Sequence, residues 1–171
     1  MTALRIPVTA ALTAVLFLGL CSCSDMSRSG DGSCFHFTSF TGRSGRHAAF
    51  TVDMSDSTCA YSIDIVARMS RRHAPGTLPL EVTVVSPEGH RASETVSLPS
   101  DLNSLRHYTA RSEDRRIRIA ESAGSYDVSW RYRDGIVPGE KGDWLVCISA
   151  PDTLEGLSGI GISVSGTPVK Q

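Results

Sequence analysis

The sequence is poor in almost everything that announces chemistry. Neither charge sign is in excess: 17 Lys and Arg stand against 18 Asp and Glu, a formal net charge of −1. A nucleic-acid partner needs a basic stripe, so this balance argues against one. Beyond Leu20, no apolar run approaches the ~18 residues of a membrane-spanning helix. Of the five cysteines, Cys34, Cys59 and Cys147 lie too far apart for the paired C-x-x-C spacing of a zinc site. His36, His47, His73, His90 and His107 belong to no H-E-x-x-H or comparable motif. No metal and no cofactor is expected. A serine nucleophile needs a strained elbow such as G-x-S-x-G, and neither Ser125 nor Ser163 has one. Gly159 and Gly161 are followed by neither a helix start nor the lysine of a phosphate loop. A glycosidase pair of carboxylates cannot be picked out by spacing alone. The reading is therefore non-enzymatic, with no catalytic residue.

What is present begins at the amino terminus. Arg5 precedes the apolar run Ile6 to Leu20, followed by Leu20-Cys21-Ser22-Cys23. A charged start, a short apolar middle and small residues at a cut make a secretory signal peptide. The cut has the form of a bacterial lipobox, in which a small residue, Ser22, directly precedes the acylated thiol of Cys23. Cys21 fits this role less well, because bulky Leu20 would stand directly before it. The expectation is a signal peptide over 1–22 and palmitate-type acyl chains on Cys23. Each buried methylene contributes about 0.8 kcal/mol, so several chains would hold the protein at a membrane essentially permanently. The competing reading is an ordinary signal peptide that happens to contain two cysteines. Ser24 to Ser33 is polar and without periodicity, so 23–45 reads as the lipidated cysteine and a flexible tether.

From residue 46 to 171 the pattern is that of a β-sandwich. Ala48, Phe50, Val52 and Met54 alternate with polar residues, as half-buried strands do. So do Cys59, Tyr61, Ile63, Ile65, Ala67 and Met69, and then Leu78, Leu80, Val82 and Val84. Asp56-Ser57-Thr58, Pro75-Gly76 and Pro87-Glu88-Gly89 supply turns. The pattern weakens from Thr95 to Leu98. Over Ser100 to Arg111 a short capped helix carrying Leu102 and Leu105 competes evenly with a loop. Ile117 and Ile119 resume the alternation, and Tyr126, Val128, Trp130 and Tyr132 form the clearest strand. Two strands close the chain, with Trp144, Val146 and Ile148 on one face of the first and Ile160, Ile162 and Val164 on one face of the second. Seven or eight strands with almost no helix predict an all-β antiparallel sandwich, with the jelly roll among its topologies.

Two groups of residues remain as candidates for contact or cross-linking. Trp130 and Tyr132 could form a ligand-facing platform that stacks on sugars, although Arg131 and Arg133 on the opposite face favour core packing. Cys34, Cys59 and Cys147 allow one disulfide with one thiol left over, permitted outside the cytoplasm. Spacing prefers no pair. Gly159 and Gly161 read as places where another backbone comes close.

Gly142-x-Trp144-x-Val146-x-Ile148 and Leu154-x-Gly156-Leu157-x-x-Ile160-Gly161-Ile162-x-Val164 resemble the carboxy-terminal end of the gliding motility lipoprotein GldH family of Bacteroidetes. Phe50-x-Val52, Tyr61-x-Ile63-x-Ile65-x-Ala67-Arg68, Leu80-x-Val82 and Pro87-Glu88-Gly89 agree in order. The resemblance runs from Arg46 to Val164, is strongest over 142–164, and departs from the family over Leu98 to Ile119. It implies a lipid-anchored protein of the cell envelope, at the outer membrane. Its role would be that of an accessory to motility or secretion-type machinery, acting by contact with an envelope protein, and the family carries no catalytic residues to transfer. The alternative expectation is a surface module that binds glycans or host proteins.

Overall fold

A computed structural model of the protein describes residues 25–28, 33–40, 45–72, 74–111 and 116–169. In chain order the elements are β1 (Asp25–Arg28), β2 (Cys34–Ser39), β3 (His47–Asp53), β4 (Cys59–Ser70), β5 (Thr77–Val85) and β6 (Arg91–Pro99). Then come α1 (Leu102–Arg111), β7 (Ile117–Glu121), β8 (Ser125–Ile136), β9 (Asp143–Ser149) and β10 (Leu157–Pro168). They form a six-stranded sheet, β1-β2-β10-β4-β8-β7, and a four-stranded sheet, β3-β9-β5-β6. Every pairing is antiparallel.

The topology follows from one long hairpin. β5 pairs with β6, β4 with β8, β3 with β9 and β2 with β10, and successive pairs fall in alternate sheets. A hairpin rolled up in this way is a jelly roll. β7 extends the larger sheet beyond β8, and β1 extends it beyond β2. The all-β sandwich expected from the alternation is therefore present, with ten strands among the described residues.

The alternating faces meet between the sheets. Phe50, Val52 and Met54 from β3 and the turn after it, Ile63, Ile65, Ala67 and Met69 from β4, and Leu78, Leu80 and Val82 from β5 are all buried. Val146 and Ile148 from β9 and Ile160, Ile162 and Val164 from β10 complete this layer. Burying such a side chain is worth about 1.5–3 kcal/mol. Asp101 caps α1 by accepting from the Ser104 amide (2.8 Å), which settles the helix-or-loop ambiguity in favour of the helix. Leu105 then enters the core. β6 is an edge strand with only half-buried inner residues, which is why its alternation is weak in the sequence.

One expectation needs correction. Residues 23–45 are not a tether throughout: Asp25–Arg28 and Cys34–Ser39 are paired strands of the larger sheet. The polar, Ser-rich composition hid β1, because a four-residue edge strand needs no apolar face. The expected close approach of another backbone at Gly159 and Gly161 is present. A Cβ on Gly161 would strike the His36 carbonyl oxygen, but it would also lie 2.8 Å from the Phe37 ring, and one on Gly159 would lie 2.5 Å from that ring. The glycines make room for an aromatic side chain as well as a backbone.

Candidate functional site

The aromatic strand faces inward. Trp130 is only 3% exposed and donates from Nε1 to the Pro99 carbonyl (3.0 Å), while Tyr126 donates from Oη to the Ser100 carbonyl (2.5 Å). These bonds satisfy the polar ends of rings that are otherwise in the core. Tyr132 is half-buried; its hydroxyl bonds the Glu94 carboxylate and its ring lies under the Arg133 guanidinium (4.3 Å to the centroid). Burial first, and the Glu94 bond second, push its phenol up to about 12. The ligand-facing reading of Trp130 and Tyr132 is thus overturned for Trp130, whose ring has no open face. Tyr132 is committed to Glu94 and Arg133.

The cysteines stand apart. Cys34 pairs with Val164 on β10 and Cys59 with Pro168, four positions further along that strand. Cys147 lies on the other sheet. Cys59 and Cys147 are free thiols, so no two of the three are joined to each other. The Cys59 thiol donates to Asp56 (3.3 Å), and that bond to a carboxylate pushes its pKa up. Cys23 and its lipobox lie outside the described residues.

The outer face of the larger sheet carries paired charges. Asp64, buried, bonds both Arg118 and Arg131; Arg131 also reaches Asp134 (2.8 Å). Arg68 grips Asp127 through two bonds (2.8 and 2.9 Å) and lies over the Phe37 ring, itself stacked beside Phe35. Off that face, on the inward side of β7 beside α1, Arg71 and Arg106 share Glu121, whose carboxyl they hold down at about 2, Arg106 foremost. With each of these guanidiniums matched to a carboxylate, the face offers no ready grip for an anionic ligand. A shallow groove over Pro79, Glu81, Thr95, Ser149 and Pro151 marks the outer face of the smaller sheet.

The most elaborate local construction lies at one end of the sandwich, where β3–β4, β5–β6 and β8–β9 turn. In the β5–β6 turn the Gly89 amide donates to Ser86 (2.9 Å), with Gly89 at φ +89°, a conformation glycine adopts without cost. From the β8–β9 turn, Glu140 reaches across and accepts from the Glu88 amide (3.0 Å) and pairs with His90 Nδ1 (2.8 Å). The Ser86 hydroxyl, then His90, then the Glu88 amide hold its carboxyl down at about 2. The Glu140 carbonyl receives the Trp144 indole N–H (3.1 Å). Met54 donates to the Gly142 carbonyl (3.0 Å), joining the β3–β4 turn to the same loop, and Val169 donates to Thr58 (2.8 Å). Asp56 fixes the β3–β4 turn through the Thr58 hydroxyl and amide.

Glu88, His90 and Glu140 could each offer an atom to a metal, all within 4.8 Å of one another. Both Glu140 oxygens are already used in bonding the turn, and those bonds account for the cluster without an ion. His36 is buried beside the Phe50 ring and burial lowers its pKa; His47 and His107 are exposed, and His73 lies outside the described residues. At the opposite end, Arg46 is buried with Nε and Nη1 lacking an acceptor among the described residues.

The role of Glu140 was not legible in the sequence. Its signal is a charged residue between two glycines, Gly139 and Gly142, and nothing local reveals that β5–β6 lies opposite. Val137 lies in the β8–β9 turn, Leu145 in β9 opposite Val85 and Val169 just past β10 beside Thr58, exposed by 59%, 38% and 48%. Turns bonded to one another, with exposed apolar side chains nearby, present a surface that can contact another molecule. In comparison with known proteins, the chain matches no family model, no curated protein and no solved structure.

Proposed function

We propose that this protein is a lipid-anchored component of the cell envelope that works by protein–protein contact and without catalysis. It would serve as an accessory to motility or secretion-type machinery of the kind the GldH-family resemblance implies. The lipobox ending in Cys23 supports the anchor and an outer-membrane location. The observation that carries the contact reading is the coincidence of Val137, Leu145 and Val169 with the end of the jelly roll whose turns are bonded to one another. Three of the four exposed large hydrophobics of the described residues lie there; the fourth, Tyr108, is on α1. Rigid apolar side chains favour binding because little conformational freedom is lost on association. The glycan-binding alternative loses its strongest residue, since Trp130 is in the core.

The test is a photocrosslinking residue at Val137 in the full chain, activated in native envelopes. A discrete protein adduct is expected, absent when the same residue replaces Thr95. Adducts to polysaccharide alone, or equal protein capture from both positions, would refute the reading.

A further inference from the structure

We propose that the domain stands on the lipid headgroups by the end of the sandwich opposite those turns, and holds the β3–β4, β5–β6 and β8–β9 turns away from the bilayer. The inference rests on the lipid-anchor reading above and goes beyond it by fixing which way the domain points.

The argument starts from the register of β1. It begins at Asp25, two positions after Cys23, and two residues span at most about 7 Å even when extended. Asp25 lies opposite Phe37, and β1 runs antiparallel to β2. The chain upstream of Asp25 therefore leaves in the direction in which β2 ends, at Ser39. The registers Gly159 to Ser39, Gly159 to Arg68 and Arg68 to Asp127 carry that level across the larger sheet. The level lies two residues from the end of β4 and two from the start of β8. Cys23 thus belongs to the end that carries the β4–β5, β7–β8 and β9–β10 connections. Had 23–45 been a flexible tether, its 23 residues would have let the domain roam; the pairing of β1 with β2 removes most of that reach.

The composition of this end suits headgroups. Arg71, Arg72, Ser122, Asp152 and Glu155 are exposed there, and Val137, Leu145 and Val169 lie toward the other end. The exposed charged side chains described at this end suit the polar interface, so the acyl chains enter the bilayer and the domain rests on the headgroups. The opposite turns then stand clear by the length of the sheet. β4 is 12 residues long, and at about 3.3 Å per residue that is roughly 40 Å.

The experiment uses the full acylated chain in vesicles of phosphatidylethanolamine and phosphatidylglycerol that carry an acceptor dye on a headgroup. A donor dye is placed on an encoded click-reactive residue at Asp152 or at Lys141, and acylation of Cys23 is verified by mass on the same samples. Energy transfer from position 152 is expected to exceed that from 141 several-fold. Equal or reversed transfer from a chain acylated on Cys23 would overturn the orientation and leave the anchor standing. A chain bearing no acyl group on Cys23 would overturn the anchor, and the orientation with it.

Discussion

Gly161 shows how much a single missing side chain can govern. It lies on the outer face of β10 opposite Phe37, and an added Cβ would meet both the Phe37 ring and the His36 carbonyl. Backbone oxygen cannot swing aside, so Gly161→Ala should destabilise the domain by about 1–3 kcal/mol, the usual range for overpacking. Gly124→Ala provides the contrast, because nothing lies within 4 Å of its added Cβ. Denaturant unfolding of the two variants, without residues 1–23, compares them directly; equal midpoints would mean β2 can move off β10 at little cost. The sequence marked Gly161 as a site of close approach, but it could not reveal that Phe37 was the neighbour. That pairing joins residues more than a hundred positions apart, and no local periodicity encodes it.

Among the elements, the locked turns make the sharpest chemical prediction. Glu140 has its carboxyl depressed from 4.5 to about 2 by Ser86, His90 and the Glu88 amide. A depressed carboxyl contributes stability that is fully present above about pH 4.5 and is lost as pH falls through about 2. Trp144 reports on the loop, since its indole donates to the Glu140 carbonyl. In a Trp130→Phe background, where Trp144 is the remaining tryptophan, its fluorescence should hold steady through pH 4.5 and change towards pH 2. Glu140→Gln should remove that step. A step that persists unaltered in the glutamine variant would assign the transition to another group and dissolve the proposed lock. The turns themselves were legible, as Pro87-Glu88-Gly89 and the glycines of the β8–β9 loop are local signals. Their mutual contact was not, because it depends on how the hairpin rolls.

At the level of the whole molecule, β10 is the closing strand of the rolled hairpin, held between β2 and β4. Ile162 on its inner face is fully buried, whereas Ser163 faces outward and is half-buried. Ile162→Ala should lower stability by about 2–5 kcal/mol, a large part of the ~5–15 kcal/mol a domain possesses. Ser163→Ala should change it little. If instead the two variants unfold alike while Ile162→Ala alone loses a binding partner, β10 would be a recognition surface rather than a structural strand.

The sequence by itself determined the alternating strands from residue 46 onward, their inward faces and the all-β class. A strand's period of two is written in consecutive residues, and the hydrophobic effect needs only that period to choose a face. It also carries Leu20-Cys21-Ser22-Cys23, the local pattern on which the proposed lipid anchor rests. Only the tertiary structure decided that Trp130 is core rather than platform, that Cys34–Ser39 is a sheet strand, and that Glu140 ties two distant turns together. Each of these depends on which strand lies beside which. That choice is made when the whole hairpin rolls up to bury its apolar faces at once, and no short stretch of sequence contains it.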